Sequence, residues 1–186
     1  MIYKTLIYQR AESVGNITIN RPYANNAIDL QLSGELADVC ASINQDEVVR
    51  VVTITGTGER YFCVGTDPSV LSSMAQGEQQ TNLPSVAKAI FDINQPVIAA
   101  INGDTSGQGL ELALACDLRI AADIVHFELP QITSGFIPWD GGTQFLPRLI
   151  GRGKAMEMIF TGETILGHEE YGKQIRIWLC FLWRSG

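Results

Sequence analysis

The chain lacks the features that mark several large classes of protein. Its 186 residues include 13 lysines and arginines against 20 aspartates and glutamates, which gives a formal net charge of −7, and no basic stripe stands out. This balance argues against a nucleic-acid partner, because nucleic-acid-binding proteins present a basic patch. No apolar run approaches the roughly 18 residues that a membrane-spanning helix needs. We therefore expect neither nucleic acid nor membrane as a partner.

Cysteine and histidine are also scarce. The four cysteines are far apart and form no CxxC pair, which is typical of reduced thiols in a protein core. They are Cys40, Cys63, Cys116 and Cys180. The two histidines, His126 and His168, are too far apart to favour a Ser-His-Asp triad or a metal site, so we expect no metal. Residues 1–10 lack the apolar centre and cleavage site of a secretory signal, and we expect a cytoplasmic protein.

Strand-like and helix-like segments alternate along the chain. With 46% hydrophobic residues, the chain can bury a full core as a single domain. The alternation predicts an α/β fold with much parallel pairing. Predicted strands span 5–9, 14–20, 49–55, 97–101, 118–121 and 125–129. Predicted helices span 30–43, 68–75, 84–93, 110–115, 143–150 and 154–160.

One corner of the chain has an unusual combination of residues. Val97–Ile101 is typical of a buried strand, Gly107 and Gly109 permit a tight turn, and the helix that follows from Leu110 is apolar on every side. Such a turn aims free backbone N–H groups at whatever lies in front of it. That arrangement suits an oxygen that becomes negative during a reaction. Glu111 in the first helical turn is then a candidate catalytic carboxylate.

Two other catalytic motifs are incomplete at this corner. Ser106 lacks the glycine pattern of a nucleophile elbow, because Asp104 occupies the place of the first glycine. The pair Gly107-x-Gly109 has no third glycine in register, which argues against a dinucleotide site.

Six segments resemble, in the same order, the enoyl-CoA hydratase/isomerase (crotonase) superfamily. They are Ile17–Ile28 (ITINRPYANNAI), Phe62–Asp67 (FCVGTD), Pro96–Gly103 (PVIAAING), Gly107–Asp117 (GQGLELALACD), Phe127–Ile132 (FELPQI) and Gly141–Gly151 (GGTQFLPRLIG). The resemblance covers about residues 5–162. It implies a crotonase-like spiral of ββα units, assembly as trimers or hexamers, and acyl-CoA thioester substrates. Coenzyme A is then part of the substrate, and no separate cofactor is expected.

The resemblance also implies a set of site residues. In the family, two backbone N–H groups hold the oxygen of a thioester enolate, and they match those of Thr66 and Gln108. Because only the backbone is used, the side chain can vary, although the family usually has glycine where Gln108 stands. Glu111 matches the first acid/base glutamate of the family.

The chain departs from the family pattern at the second acid. Gln131 stands where the family usually has glutamate, and an amide cannot take up a proton at neutral pH. Glu128 lies three residues earlier, so on an extended backbone it would face the opposite side. Asp140, on a loop that borders the site in the family, is therefore the predicted second acid. Gln131 is predicted to line the pocket, and Trp139, in place of a small residue, to reshape the acyl pocket.

The last segment matches nothing in the family. We expect a core domain over 1–165 and an atypical tail over 166–186, of the kind left by truncation or a frameshift, in place of the helical region that covers the site and joins subunits in the family. The predicted function is that of an enoyl-CoA hydratase-like lyase in fatty acid metabolism. The alternatives are an enoyl-CoA isomerase or another one-acid reaction, or an inactive acyl-CoA binder.

Overall fold

Two β-sheets form the framework of the computed structural model, which describes residues 2–75, 85–122 and 125–166. The strands are β1 (Leu6–Ala11), β2 (Val14–Ile19), β3 (Val51–Gly56), β4 (Tyr61–Cys63), β5 (Val97–Ile101), β6 (Asp104–Ser106), β7 (Leu118–Ala121), β8 (His126–Glu128) and β9 (Ile165–Leu166). The helices are α1 (Leu30–Asn44), α2 (Pro68–Ala75), α3 (Val86–Phe91), α4 (Gln108–Ala115), α5 (Gly142–Ile150) and α6 (Arg152–Thr161). Two 3-10 helices span Pro22–Ala24 and Pro130–Ser134.

The chain alternates between the two sheets. The first has the strand order β1-β2-β3-β5-β7, in which β1 and β2 form an antiparallel hairpin and the other neighbours are parallel. The second has the order β4-β6-β8-β9, with only β8 and β9 antiparallel in this part of the structure. Along the chain, strands β3, β5 and β7 of the first sheet are followed by β4, β6 and β8 of the second, respectively. This repeat, with helices following β4 and β6, confirms the predicted α/β spiral of ββα units.

Helix α1 shows how the sequence sets an element boundary. The side chain of Asp29 accepts a hydrogen bond from the Leu32 N–H at 2.8 Å, which satisfies one of the amides that a helix start leaves free. The apolar residues recur every three or four positions and form the buried face: Leu32, Leu36, Val39 and Ile43. An aspartate directly before apolar residues at helical spacing is a typical helix start, so both the cap and the face follow from the local sequence.

Two strands of the second sheet, β4 and β6, were not predicted, whereas β8 lies within the predicted strand 125–129. The sequence indicates a glycine-punctuated loop over residues 56–67 with an apolar patch at Tyr61–Val64, and a turn between Ile101 and Leu110. Residues Tyr61–Cys63 and Asp104–Ser106 are instead strands β4 and β6. Strands of three residues are too short to show alternation in the sequence. A related error concerns Gln131, which lies in the 3-10 helix Pro130–Ser134 and not on an extended strand. The argument that set Glu128 and Gln131 on opposite faces therefore does not hold.

The cysteines of the described part of the chain are small core residues. Cys40, Cys63 and Cys116 are unpaired and buried, and burial raises the pKa of each thiol to about 12. In the described ranges, no helix is long and apolar enough to cross a membrane. Cys180, His168 and the predicted tail beyond Leu166 lie outside the described residues.

Candidate active site

The turn between β6 and α4 forms one wall of the candidate site. Gly107, at φ +53°, precedes the first helical residue, and its N–H donates to the Glu128 carbonyl at 3.0 Å. All eight residues of α4, Gln108–Ala115, are buried. The Gln108 N–H opens the helix, where an amide has no partner within the helix itself. Its N–H is thus free to bind a group in front of the turn.

A second free amide lies on the facing segment. Ile28 and Thr66 form an isolated parallel bridge, in which the Ile28 N–H donates to Gly65 and the Asp67 N–H donates to Ile28. The bridge therefore uses the Gly65 carbonyl and the Asp67 N–H, and the Thr66 N–H between them takes no part in it. A Cβ placed on Gly65 would lie 3.1 Å from the Gln108 nitrogen, so the two segments are in direct contact.

The Thr66 and Gln108 amides therefore belong to adjoining segments. Within residues 2–75, 85–122 and 125–166, neither N–H has a hydrogen-bond acceptor. Two free N–H donors on adjoining buried segments are suited to stabilising a developing negative charge on oxygen.

Glu111 lies fully buried behind this corner. Its Oε1 accepts hydrogen bonds from the Asp140 and Gly142 N–H groups, each at 2.8 Å, so the carboxylate sits at the N-terminus of α5. Burial raises the pKa of its carboxyl to about 7, although the hydrogen bonds from the Gly142 and Asp140 amides oppose the shift. A carboxyl with this pKa can both take and give a proton near neutral pH.

Gln131 is in direct contact with Glu111. Its Nε2 donates to Glu111 Oε2 at 3.1 Å, and the same nitrogen lies 3.7 Å from where a Cβ on Gly107 would stand. The side chain is 7% exposed, and its Oε1 has no partner in the part of the chain that the structure describes. This buried acceptor can receive a hydrogen bond from a water molecule or a hydroxyl group.

Asp140 contacts Glu111 through its backbone, while its own carboxylate faces α3. Its Oδ1 accepts from the Ser85 hydroxyl, and its Oδ2 accepts from the Val86 N–H at 3.0 Å, the Ala87 N–H at 3.2 Å and Gln108 Nε2 at 2.9 Å. With four donors on two oxygens, these contacts favour capping and positioning over proton transfer. The second-acid role of Asp140 stays a prediction.

Glu128, which the sequence disfavours as the second acid, and Trp139, which it predicts to line the pocket, make contacts of their own. Glu128 is half-buried at the end of β8, and its carboxylate accepts a hydrogen bond from the Thr164 hydroxyl at 2.8 Å. Trp139 is half-buried and packs edge-to-face on Phe136, with ring centroids 5.8 Å apart. The structure thus brings Glu111, Gln131 and the Asp140 backbone into direct contact. The Glu128 carboxylate instead binds Thr164.

Arg21 supports the Thr66 segment and was missed in the sequence. Its guanidinium pairs with Asp29 at 2.8 Å and with Asp67 at 3.1 Å, and it also donates to the Ala27 carbonyl. The side chain is only 8% exposed, so these bonds join the start of α1 to the residue that follows Thr66. The one available signal was an arginine beside Pro22 with two aspartates downstream, which does not indicate a pairing.

A comparison with protein families agrees with this geometry. The family described as Enoyl-CoA hydratase/isomerase matches residues 9–172. A Bacillus subtilis protein, YngF, is 45% identical over 161 residues, which cover 85% of this chain and 62% of that protein. A crotonyl-CoA hydratase of Syntrophomonas wolfei is 37% identical over 174 residues, or 92% of this chain and 67% of that enzyme. The chain thus spans less than two thirds of the first relative and about two thirds of the second.

A comparison with solved structures gives the same result for the fold. The crystal structure of an enoyl-CoA hydratase from Bacillus anthracis superposes with a TM-score of 0.82 at 36% sequence identity. The match covers 92% of this chain and 68% of the solved chain.

Proposed function

The chain belongs to the enoyl-CoA hydratase/isomerase family, and from this premise we propose that it adds water to the double bond of a 2-enoyl-CoA thioester. The observation that carries the proposal is the environment of Glu111. Its carboxylate is fully buried, accepts hydrogen bonds from the Asp140 and Gly142 N–H groups, has a pKa of about 7 and lies next to the turn that carries the Gln108 N–H. The name of the Syntrophomonas wolfei relative, a crotonyl-CoA hydratase, supports a short enoyl chain as the first substrate to test.

In the proposed reaction, Glu111 works as the one proton carrier. The oxygen of water forms a bond to the β-carbon, and Glu111 takes a proton from that water. The electrons of the double bond move onto the thioester oxygen to give an enolate, which the Thr66 and Gln108 N–H groups stabilise. Glu111 then returns the proton to the α-carbon, and the product is a 3-hydroxyacyl thioester. Gln131 Oε1 is placed to accept a hydrogen bond from the water.

Purified protein incubated with crotonyl-CoA tests the proposal. Hydration removes the conjugated double bond, so the near-ultraviolet absorbance of the enoyl thioester should fall and 3-hydroxybutyryl-CoA should appear by mass spectrometry. Binding of crotonyl-CoA without turnover would instead identify an acyl-CoA binder. Turnover of a 3-enoyl thioester alone, without water addition, would identify an isomerase.

The pH dependence of the reaction should show a single rising limb. Glu111 must be ionised to take a proton from water, and burial raises the pKa of its carboxyl to about 7. We therefore expect kcat/KM for crotonyl-CoA to increase with pH up to about 7 and then to level off. A falling limb above pH 7 would contradict the one-acid reaction, because it would reveal a second group that must be protonated.

Asp140→Asn and Glu128→Gln should have different effects on the rate. Asp140→Asn replaces one accepting oxygen by a donor where the Ser85 hydroxyl and three N–H groups converge, and the Asp140 N–H holds Glu111. We expect kcat for crotonyl-CoA to fall at least about tenfold. Glu128→Gln should stay within about twofold of wild type, since an amide oxygen can still accept from Thr164. Equal, mild effects in steady-state assays would mean that neither carboxylate supports the reaction.

The assembly and location are also proposals. A homo-oligomer, trimer or hexamer, is consistent with the large apolar side chains that the described chain exposes, among them Phe91 and Phe160. A cytoplasmic location is consistent with three buried cysteines that form no disulfide. Coenzyme A would enter as part of the substrate, with no separate cofactor.

A further inference from the structure

The two residues with free amides are also joined through their side chains. The Thr66 hydroxyl donates to Gln108 Oε1 at 2.8 Å. Both side chains are buried, with exposed fractions of 9% for Thr66 and 1% for Gln108. A buried hydrogen bond of this kind fixes the distance between two residues that are 42 positions apart in the chain.

Gln108 is also linked to Glu111, the proposed acid–base residue, through hydrogen bonds to Asp140. Gln108 Nε2 donates to Asp140 Oδ2 at 2.9 Å, and the Asp140 N–H donates to Glu111 Oε1 at 2.8 Å. We name the side chains of Thr66, Gln108 and Asp140 the polar brace. Its bonds assign the orientation of the Gln108 amide, because Oε1 faces a donor and Nε2 faces a carboxylate.

We propose that Gln108 is a positioning residue, whose side chain holds the Thr66 and Gln108 amides at the spacing that an enolate oxygen requires and ties them to the Glu111 segment. This inference rests on the proposed function, since it assumes that the two amides bind such an oxygen. Donors must stay within a fraction of an ångström of the productive geometry, and supporting side chains supply that precision. The brace does so from the side chains of the same residues that supply the N–H groups.

A brace that only stabilises the fold and a brace that positions the amides differ in one measurable respect. Loss of a purely structural bond lowers the melting temperature and weakens all acyl-CoA ligands alike. Loss of a positioning bond weakens an enolate more than a neutral thioester, because the negative oxygen gains most from well-placed donors. The ratio of the two affinities separates these roles.

The experiment compares two ligands in matched variants. Acetoacetyl-CoA, whose acidic α-carbon lets it bind as an enolate with its own near-ultraviolet absorbance, reports on the charged oxygen. Butyryl-CoA, a saturated thioester, reports on ground-state binding. Thr66→Val and Gln108→Met remove the same hydrogen bond from opposite ends at nearly constant volume. In each, we expect the enolate preference to fall about tenfold. The double variant should lose no more of the enolate preference than Gln108→Met alone, since the hydrogen bond that both changes remove can be broken only once.

Two further variants sharpen the comparison. Thr66→Ser keeps the hydroxyl and should recover the enolate preference that Thr66→Val loses. Thr53→Val is the control, because Thr53 donates a side-chain hydrogen bond of the same 2.8 Å length to Asn16 on the first sheet. It should lower the melting temperature without changing the affinity ratio.

The outcomes separate a failure of the proposed function from a failure of the positioning role of Gln108. A wild-type protein that binds both ligands without forming the enolate would overturn the proposed function and the positioning role with it. A wild-type enolate preference that survives unchanged in Thr66→Val and Gln108→Met would overturn the positioning role alone. Because either variant breaks the brace, one folded variant is enough to decide.

Discussion

Glu111→Gln is expected to lower kcat for hydration of crotonyl-CoA by about 10²–10⁴-fold, the usual contribution of a general acid–base group. The glutamine oxygen can still accept the hydrogen bonds that now reach Glu111 Oε1 from the Asp140 and Gly142 N–H groups. The new amide nitrogen would face Gln131, whose unpartnered Oε1 can rotate to accept from it. The fold should therefore survive, and butyryl-CoA should bind within a few-fold of wild type.

Stopped-flow or steady-state assays of wild type and Glu111→Gln measure this effect, with binding followed by calorimetry. Glu157→Gln is a suitable control, since Glu157 lies on the exposed face of α6 and pairs only with Lys154 among the described ion pairs. A Glu111→Gln variant that retains more than about a tenth of the wild-type rate would show that another group carries the proton.

Gly109→Ala is expected to destabilise the protein by about 3 kcal/mol or more, the upper range for an overpacked core. A Cβ at Gly109 would stand 2.4 Å from the Cys63 carbonyl oxygen and 2.8 Å from the Cys63 Cβ. The nearest of these atoms, the carbonyl oxygen, belongs to the backbone of strand β4, which cannot rotate away as a flexible side chain can. The glycine therefore lets α4 lie directly on β4, and that contact brings the Gln108 and Thr66 segments together.

Gly34→Ala provides the matched control, because Gly34 is also a helical glycine. It lies on the exposed side of α1 with no atom within 4 Å of the Cβ position. Alanine there should stabilise the protein by about 0.5–1 kcal/mol through helix propensity alone. Urea denaturation of both variants, with the slope compared to wild type, measures the difference. Equal midpoints for the two variants would contradict the close contact between α4 and β4.

Some parts of this arrangement could be predicted because a local signal carries them. The capping role of Asp29 follows from its position before an apolar face with helical spacing. The burial of Glu111 follows from its neighbours in an all-apolar helix. Each of these conclusions depends on residues within a few positions of one another.

Other parts depend on pairings that no local pattern records. The carboxylate of Asp140 was expected near the reacting groups, and nothing around residue 140 indicates that it caps α3, 53 to 55 positions earlier. Likewise, a glutamine in a glycine-rich turn does not reveal that it bonds to Thr66 on one side and to Asp140 on the other. Strands β4 and β6 of the second sheet are too short to carry a pattern, so their register comes from the packing of the whole chain.

The long separations within the site also set the order in which it can be completed. Thr66 and Gln108 are 42 residues apart, and Gln108 and Asp140 are 32 apart, whereas the β1–β2 hairpin pairs near neighbours. Contacts that close long loops form late, because the entropy of closure must be lost before they are made. On the ribosome, the hairpin, β3 and β5 emerge before the residues that hold the Glu111 carboxylate. The β1–β2 hairpin can therefore form in a growing chain before that chain has any catalytic geometry.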